Sequence, residues 1–174
     1  MSIQEYKETI NVNYLAYVHL TKLFLDRETN GHIVNMISVA GMQGMTAMYN
    51  TDYSASKAAL TSFFDSLRQE LLHEGSPIKI TNIYPYIIDT KLFEGFSGFA
   101  LKLIPILKKQ SVAYRVYEAI MYEEMEVYIP FYTYWMGVGM MIIKGVSESL
   151  RIMIIQKLMG DGMTTLKSSK KKQD

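Results

Sequence analysis

Between residues 32 and 85 two short apolar runs, HIVNMIS and IKITNIYP, bracket one long amphipathic segment, and this alternation constrains the chain more than any other feature. The middle segment, from about Asp52 to His73, sets Leu60, Phe63, Phe64, Leu67 and Leu71 at helical spacing and stops at EGSP. That stripe reads most simply as core packing. The flanking runs are too short for buried helices and read as strands, the second ending at Pro85. A helix from about Gln4 to Arg27, with Ile10, Tyr14, Tyr17, Val18, Thr21 and Leu25 on its spacing, precedes them and ends at ETNG. A further helix from about Ser111 to Glu124 leads into MEVYIP, a third strand candidate. Helices and strands in alternation predict an α/β domain with a largely parallel sheet.

A chain of 174 residues is long enough for one domain with a sizeable core. Its formal charge of +1 supplies no general attraction to nucleic acid, and no basic stripe with interleaved aromatics is present, so nucleic acid is a poor partner. The absence of cysteine removes disulfides and thiolate metal sites, and His19, His32 and His73 show no ligand spacing, so no metal is expected. The N-terminus carries acidic residues without a continuous apolar core; it reads as a chain starting part-way through a helix rather than as a signal peptide.

Within DYSASKAAL, Tyr53 and Lys57 stand at i and i+4, on one helical face. An ammonium beside a phenol favours the phenolate and lowers the tyrosine's pKa, which makes it an acid/base near neutral pH. With 13 tyrosines and 14 lysines, about one such pair arises by chance, so the surroundings must decide. Ser38 falls at the C-terminal end of the first strand, where open parallel sheets keep their ligand crevice. Taken singly, Ser38 reads as a strand end, Asn13 as a backbone or capping residue and Thr90 as an N-cap.

Taken together, INVNYLAYV, NGHIVNMISVAG, DYSASKAALTSFFDSLRQEL and IKITNIYPYIIDT resemble, in order, the second half of a short-chain dehydrogenase/reductase. The resemblance covers residues from about 8 to 90. It implies a Rossmann-like doubly wound parallel sheet and an NAD(P)-dependent oxidoreductase, with either NAD or NADP as cofactor. It also implies roles. Tyr53 exchanges a proton with the substrate oxygen, Lys57 holds the tyrosinate's charge and contacts the nicotinamide ribose, Ser38 hydrogen-bonds the substrate carbonyl or alkoxide, and Asn13 holds a water continuing the proton path. Pro85, Thr90 and the backbone near Ile88 complete the cofactor contacts.

Two departures stand out. Tyr86 occupies a position that is usually glycine in the family, and its bulk is expected to reshape the cofactor pocket. The family's first half, with its Gly-x-x-x-Gly-x-Gly turn, is not in these 174 residues, so the expected fold is an incomplete one with chemistry residues and no pyrophosphate cradle. Such a chain is expected to be inactive by itself; the alternative is a non-catalytic remnant serving as a membrane-associated or dimerising module.

Residues 1–130 are assigned to the Rossmann-like unit, 131–160 to a hydrophobic helical segment and 161–174 to a basic, disordered tail. The charge-free run FYTYWMGVGMMII, with VYIP before it, falls just under bilayer length and reads as a membrane-surface helix, a core or lid helix, or a span. Together with EGFSGFALKLIPILKKQ, this half is similar to the microsomal retinol and 17-beta-hydroxysteroid dehydrogenase branch. That similarity implies a lipophilic alcohol or ketone as substrate, a lid of Phe93, Phe96, Phe99, Leu101 and Leu103, and a place on endoplasmic reticulum or lipid droplets, otherwise in the cytoplasm. Those five side chains read equally as core or membrane contacts. Lys171 and Lys172 resemble a dilysine retrieval signal, and the family resemblance, in which a helix such as 52–73 is often a dimer face, implies a possible homodimer.

Overall fold

A computed structural model describes residues 2–42, 50–90 and 106–159. The first helix opens as α1 (Ile3–Ile10), passes through a π-helical turn (Asn11–Leu15) and continues as α2 (Ala16–Leu25). Strand β1 (His32–Met36) runs into a 3-10 turn (Val39–Gly41), followed by α3 (Thr51–His73), β2 (Lys79–Pro85), α4 (Lys109–Met121), β3 (Glu126–Ile129), α5 (Tyr132–Val146) and α6 (Glu148–Met159). The sheet is parallel throughout in the order β1-β2-β3, with Asn35 opposite Asn82 and Asn82 opposite Glu126. This is the parallel sheet expected from the alternation, and the incomplete Rossmann-like one that the resemblance implies.

Side-chain alternation along the strands divides the core into two faces. Ile33, Ile80 and Tyr84 turn to the side covered by α2 and α3, where Leu60, Phe64 and Leu71 are buried against them. Val34, Ile83, Val127 and Ile129 turn to the other side and meet Val112, Val116 and Ala119 of α4. Helices on both faces explain why the strands read as nearly continuous apolar runs. At the end of α3, Gly75 takes φ +68°, while Ser76 N–H bonds Leu71 C=O and Gly75 N–H bonds Leu72 C=O. EGSP therefore stops the helix through a left-handed glycine that closes its last carbonyls.

A polar ladder crosses the apolar sheet on its α3 side. Asn35 Nδ2 donates to Asn82 Oδ1 (3.1 Å), Asn82 Nδ2 reaches Asp65 Oδ1 (3.4 Å), and Arg68 bridges Asp65 and Glu126, also donating to Met125 C=O. Burial and the nearby Glu126 carboxylate push the Asp65 carboxyl up, against the pull of Arg68. A one-residue slip between these strands would separate the buried Asn35 and Asn82 amides from their partners, so the ladder fixes the register.

The run that approaches bilayer length in the sequence is broken in space: VYI belongs to β3, a cis bond joins Ile129 to Pro130, and α5 holds 15 residues. A 15-residue helix rises about 22 Å, short of the roughly 30 Å hydrocarbon layer. No helix among the described residues is long and apolar enough to cross a membrane, which corrects the spanning alternative. The described part of the hydrophobic segment comprises two helices, α5 and α6. The lid residues Phe93 to Leu103 and the tail with Lys171 and Lys172 lie outside the described residues.

Candidate active site

Three of the expected residues converge where β1 ends and α3 begins. Ser38 leaves β1 into the 3-10 turn; its Oγ accepts from Ala40 N (3.1 Å), which leaves its own proton to donate to the Tyr53 phenol. Tyr53 projects from the first turns of α3, and Lys57 follows one turn later, buried, with Nζ donating to Met36 C=O (2.9 Å). The Lys57 ammonium sits 5.8 Å from the centroid of the Tyr53 ring, so the i,i+4 spacing does place both side chains together.

Tight backbone packing makes this convergence possible. A Cβ built on Gly41 would stand 2.7 Å from both the carbonyl carbon and the oxygen of Lys57. The turn carrying Ser38 therefore lies directly on the α3 backbone, an approach only glycine permits.

Asn13 reaches α3 by another route. Its Nδ2 donates to Ser56 Oγ (3.3 Å), and the fully buried Ser56 donates to Tyr53 C=O (2.7 Å). Nearby, Thr9 Oγ1 donates to Asp52 Oδ2 (2.8 Å), so the first turn of α3 is tied twice to the α1–α2 helix. Asn13 lies in the π-helical turn, a device that re-aims side chains within a helix. Ser56 carried no signal in the sequence beyond its place in YSASK.

Pro85 closes β2, and Ile88 and Thr90 follow on the segment leaving the same edge of the sheet. Ile88 pairs with Leu107 and packs on the α4 side. Tyr86 donates its N–H to Ile129 C=O (2.8 Å), while its ring packs on the α3-side core. Burial and the neighbouring Tyr132 push its phenol up.

One electrostatic expectation is corrected. The Lys57 neighbour was expected to lower Tyr53, whereas burial raises the phenol from its ordinary 10.0, with Ser38 pulling it down and Tyr17 adding to the rise. Lys57 itself is pushed down by burial to about 8 from an ordinary 10.5. The physical reason is that both groups are out of water, which disfavours the charged form of each.

The Lys57 shift has a measurable sign. Between pH about 8 and 10.5 the unfolded chain holds a proton on Lys57 that the folded chain has released, so stability rises with pH across that window. Above 10, Tyr53 opposes it, because the unfolded phenol ionises first. The urea midpoint of the native chain should climb between pH 8 and 9.5, and that of Lys57→Met should climb less. Equal slopes would show that Lys57 is not held in this environment.

The donor set suits a nicotinamide cofactor's ribose: an amine and a phenol at the C-terminal edge of a parallel sheet, where such sheets hold their ligands. The family model for short chain dehydrogenases matches residues 1–98. Epidermal retinol dehydrogenase 2 of Homo sapiens is 33% identical over 134 residues, covering 75% of this chain and 43% of that protein. Ketoacyl reductase HetN of Nostoc sp. is 36% identical over 132 residues, covering 74% and 45%. Among solved structures, a short chain dehydrogenase/reductase from Burkholderia phymatum in complex with NAD superposes with a TM-score of 0.67 at 19% identity, covering 87% of this chain and 61% of that one. A short chain dehydrogenase from Burkholderia cenocepacia J2315 in complex with NADP gives 0.64 at 18%, covering 88% and 60%. At those identities the structural likeness shows the fold. The chain spans under half the length of the curated relatives it matches. With the family model covering more than half of the chain and the β1–α3–β2 arrangement matching it, this protein belongs to the short-chain dehydrogenase family.

Proposed function

We propose that the whole protein is an NAD(P)-dependent oxidoreductase acting on a lipophilic alcohol or ketone, such as a retinoid or steroid. The observation that carries this reading is the meeting of Ser38, Tyr53 and Lys57 at one sheet edge. Bound NAD or NADP supplies the hydride acceptor or donor. In oxidation the Tyr53 phenolate would take the proton of the alcohol's hydroxyl, and in reduction the Tyr53 phenol would give a proton to the carbonyl oxygen. Ser38 orients the substrate oxygen, and Lys57 offsets the charge on Tyr53. Tyr53, Lys57, Pro85, Ile88 and Thr90 would hold the nicotinamide end. The retinol dehydrogenase relative supports the substrate class.

The same reading sets α5 and α6 against a membrane surface. Phe131, Trp135, Ile142, Val146 and Met153 are all more than half exposed, and a lipid interface would cover them. The 174 residues include no glycine-rich phosphate turn, so the chain by itself should show neither turnover nor sub-millimolar cofactor binding. A fusion supplying the glycine-rich half of a family member ahead of Met1 should bind NAD(H) or NADP(H), oxidise retinol or a hydroxysteroid, and pellet with microsomes. A fusion that binds cofactor yet turns over none of these substrates would remove the activity, and recovery in the soluble fraction would remove the membrane contact.

A further inference from the structure

We propose that Tyr17 is a positioning residue of this site, its ring forming a wall that holds the Lys57 side chain against Tyr53. Lys57 is buried, yet among the described residues no carboxylate forms an ion pair with it. Its ammonium carries three donors, and one of them reaches Met36 C=O. Two aromatic rings lie beside it: the Tyr17 centroid is 5.4 Å from Nζ and the Tyr53 centroid 5.8 Å. Both distances fall within the range at which a ring's negative face attracts a cation. Tyr17 is thus the group from α2 that meets the lysine, one turn beyond Asn13, whose own amide is engaged by Ser56.

The groups facing the ammonium are Tyr53 on its own helix, Tyr17 on α2, and the Met36 carbonyl at the end of β1, with the Ser38 hydroxyl bonded to Tyr53 beside them. Asp52 is turned to Thr9. Burial works against the charged lysine, and a ring face at the Tyr17 distance works for it. The purpose of such a wall rests on the oxidoreductase reading, since Lys57 is useful there only when charged and fixed in place, but the wall itself can be tested without turnover.

The test is a pH titration of the full chain labelled with [ε-13C]lysine, the Lys57 resonance being assigned through Lys57→Arg. The native chain should titrate near 8. Tyr17→Leu should move Lys57 down by about half to one and a half pH units. Tyr17→Phe, which keeps the ring and drops the hydroxyl, should restore the native titration. Should Tyr17→Leu lose its helical circular dichroism, Tyr17→Met and Tyr17→Trp carry the same comparison, downward and upward respectively. An unmoved titration in the aliphatic variant, or a shift in Tyr17→Phe as large as in Tyr17→Leu, would overturn the proposal. A shifted titration alongside an inactive fusion would leave Tyr17's role standing and sink the oxidoreductase reading; turnover with an unmoved titration would do the reverse.

Discussion

Replacing Tyr53 by phenylalanine in a cofactor-competent form of this protein is expected to lower turnover by about 10²- to 10⁴-fold, the usual weight of a positioned proton donor or acceptor. The substitution removes one oxygen from a buried ring. Ser38 loses its acceptor, while Lys57 keeps its bond to Met36 C=O and its place beside both rings. Cofactor affinity should therefore change little, and stability should fall by about 1 kcal/mol for the lost hydrogen bond. Burial also makes the pH profile informative. Because the phenol is raised while the lysine, at about 8, still holds its proton near neutral pH, a working phenolate there requires the bound state to bring Tyr53 down, and activity should rise with pH on the acidic side. Native turnover in Tyr53→Phe would refute the assignment of the proton to this residue.

Gly41→Ala should be nearly as severe, for a mechanical reason. The added methyl would meet the Lys57 carbonyl at 2.7 Å and the Ala58 nitrogen at 3.1 Å. These are backbone atoms inside α3, and they cannot swing away as a side-chain tip can. The 3-10 turn must move instead, carrying Ser38 away from Tyr53. Overpacking of this kind costs about 1–3 kcal/mol, and a displacement of about 1 Å at a reacting geometry costs about 10²-fold in rate. Urea unfolding and turnover of the Gly41→Ala fusion should fall together. The Ser38 to Tyr53 geometry does not depend on close backbone approach if both remain at native levels.

What the sequence determined by itself was local or periodic. The stripe Leu60, Phe64, Leu71 defines one face of a helix, two short apolar runs define strands, and that alternation admits few arrangements other than a parallel sheet with helices on both faces. The Tyr53 and Lys57 pair was also legible, because i and i+4 share a helical face wherever the helix goes. Contacts between distant segments were not. Nothing in the order of residues shows that Asn13 bonds Ser56, that Tyr17 faces Lys57, or that Gly41 rests on the Lys57 carbonyl, since each depends on how two elements cross. The apolar run around Trp135, from Val127 to Ile143, read as one segment of near-bilayer length, yet the register of β3 on β2 takes its first part into the sheet. The sign of the Tyr53 shift was decided the same way. Spacing puts a cation beside the phenol, but only the tertiary structure determines how much water is left around the two, and its loss disfavours the charged form of each.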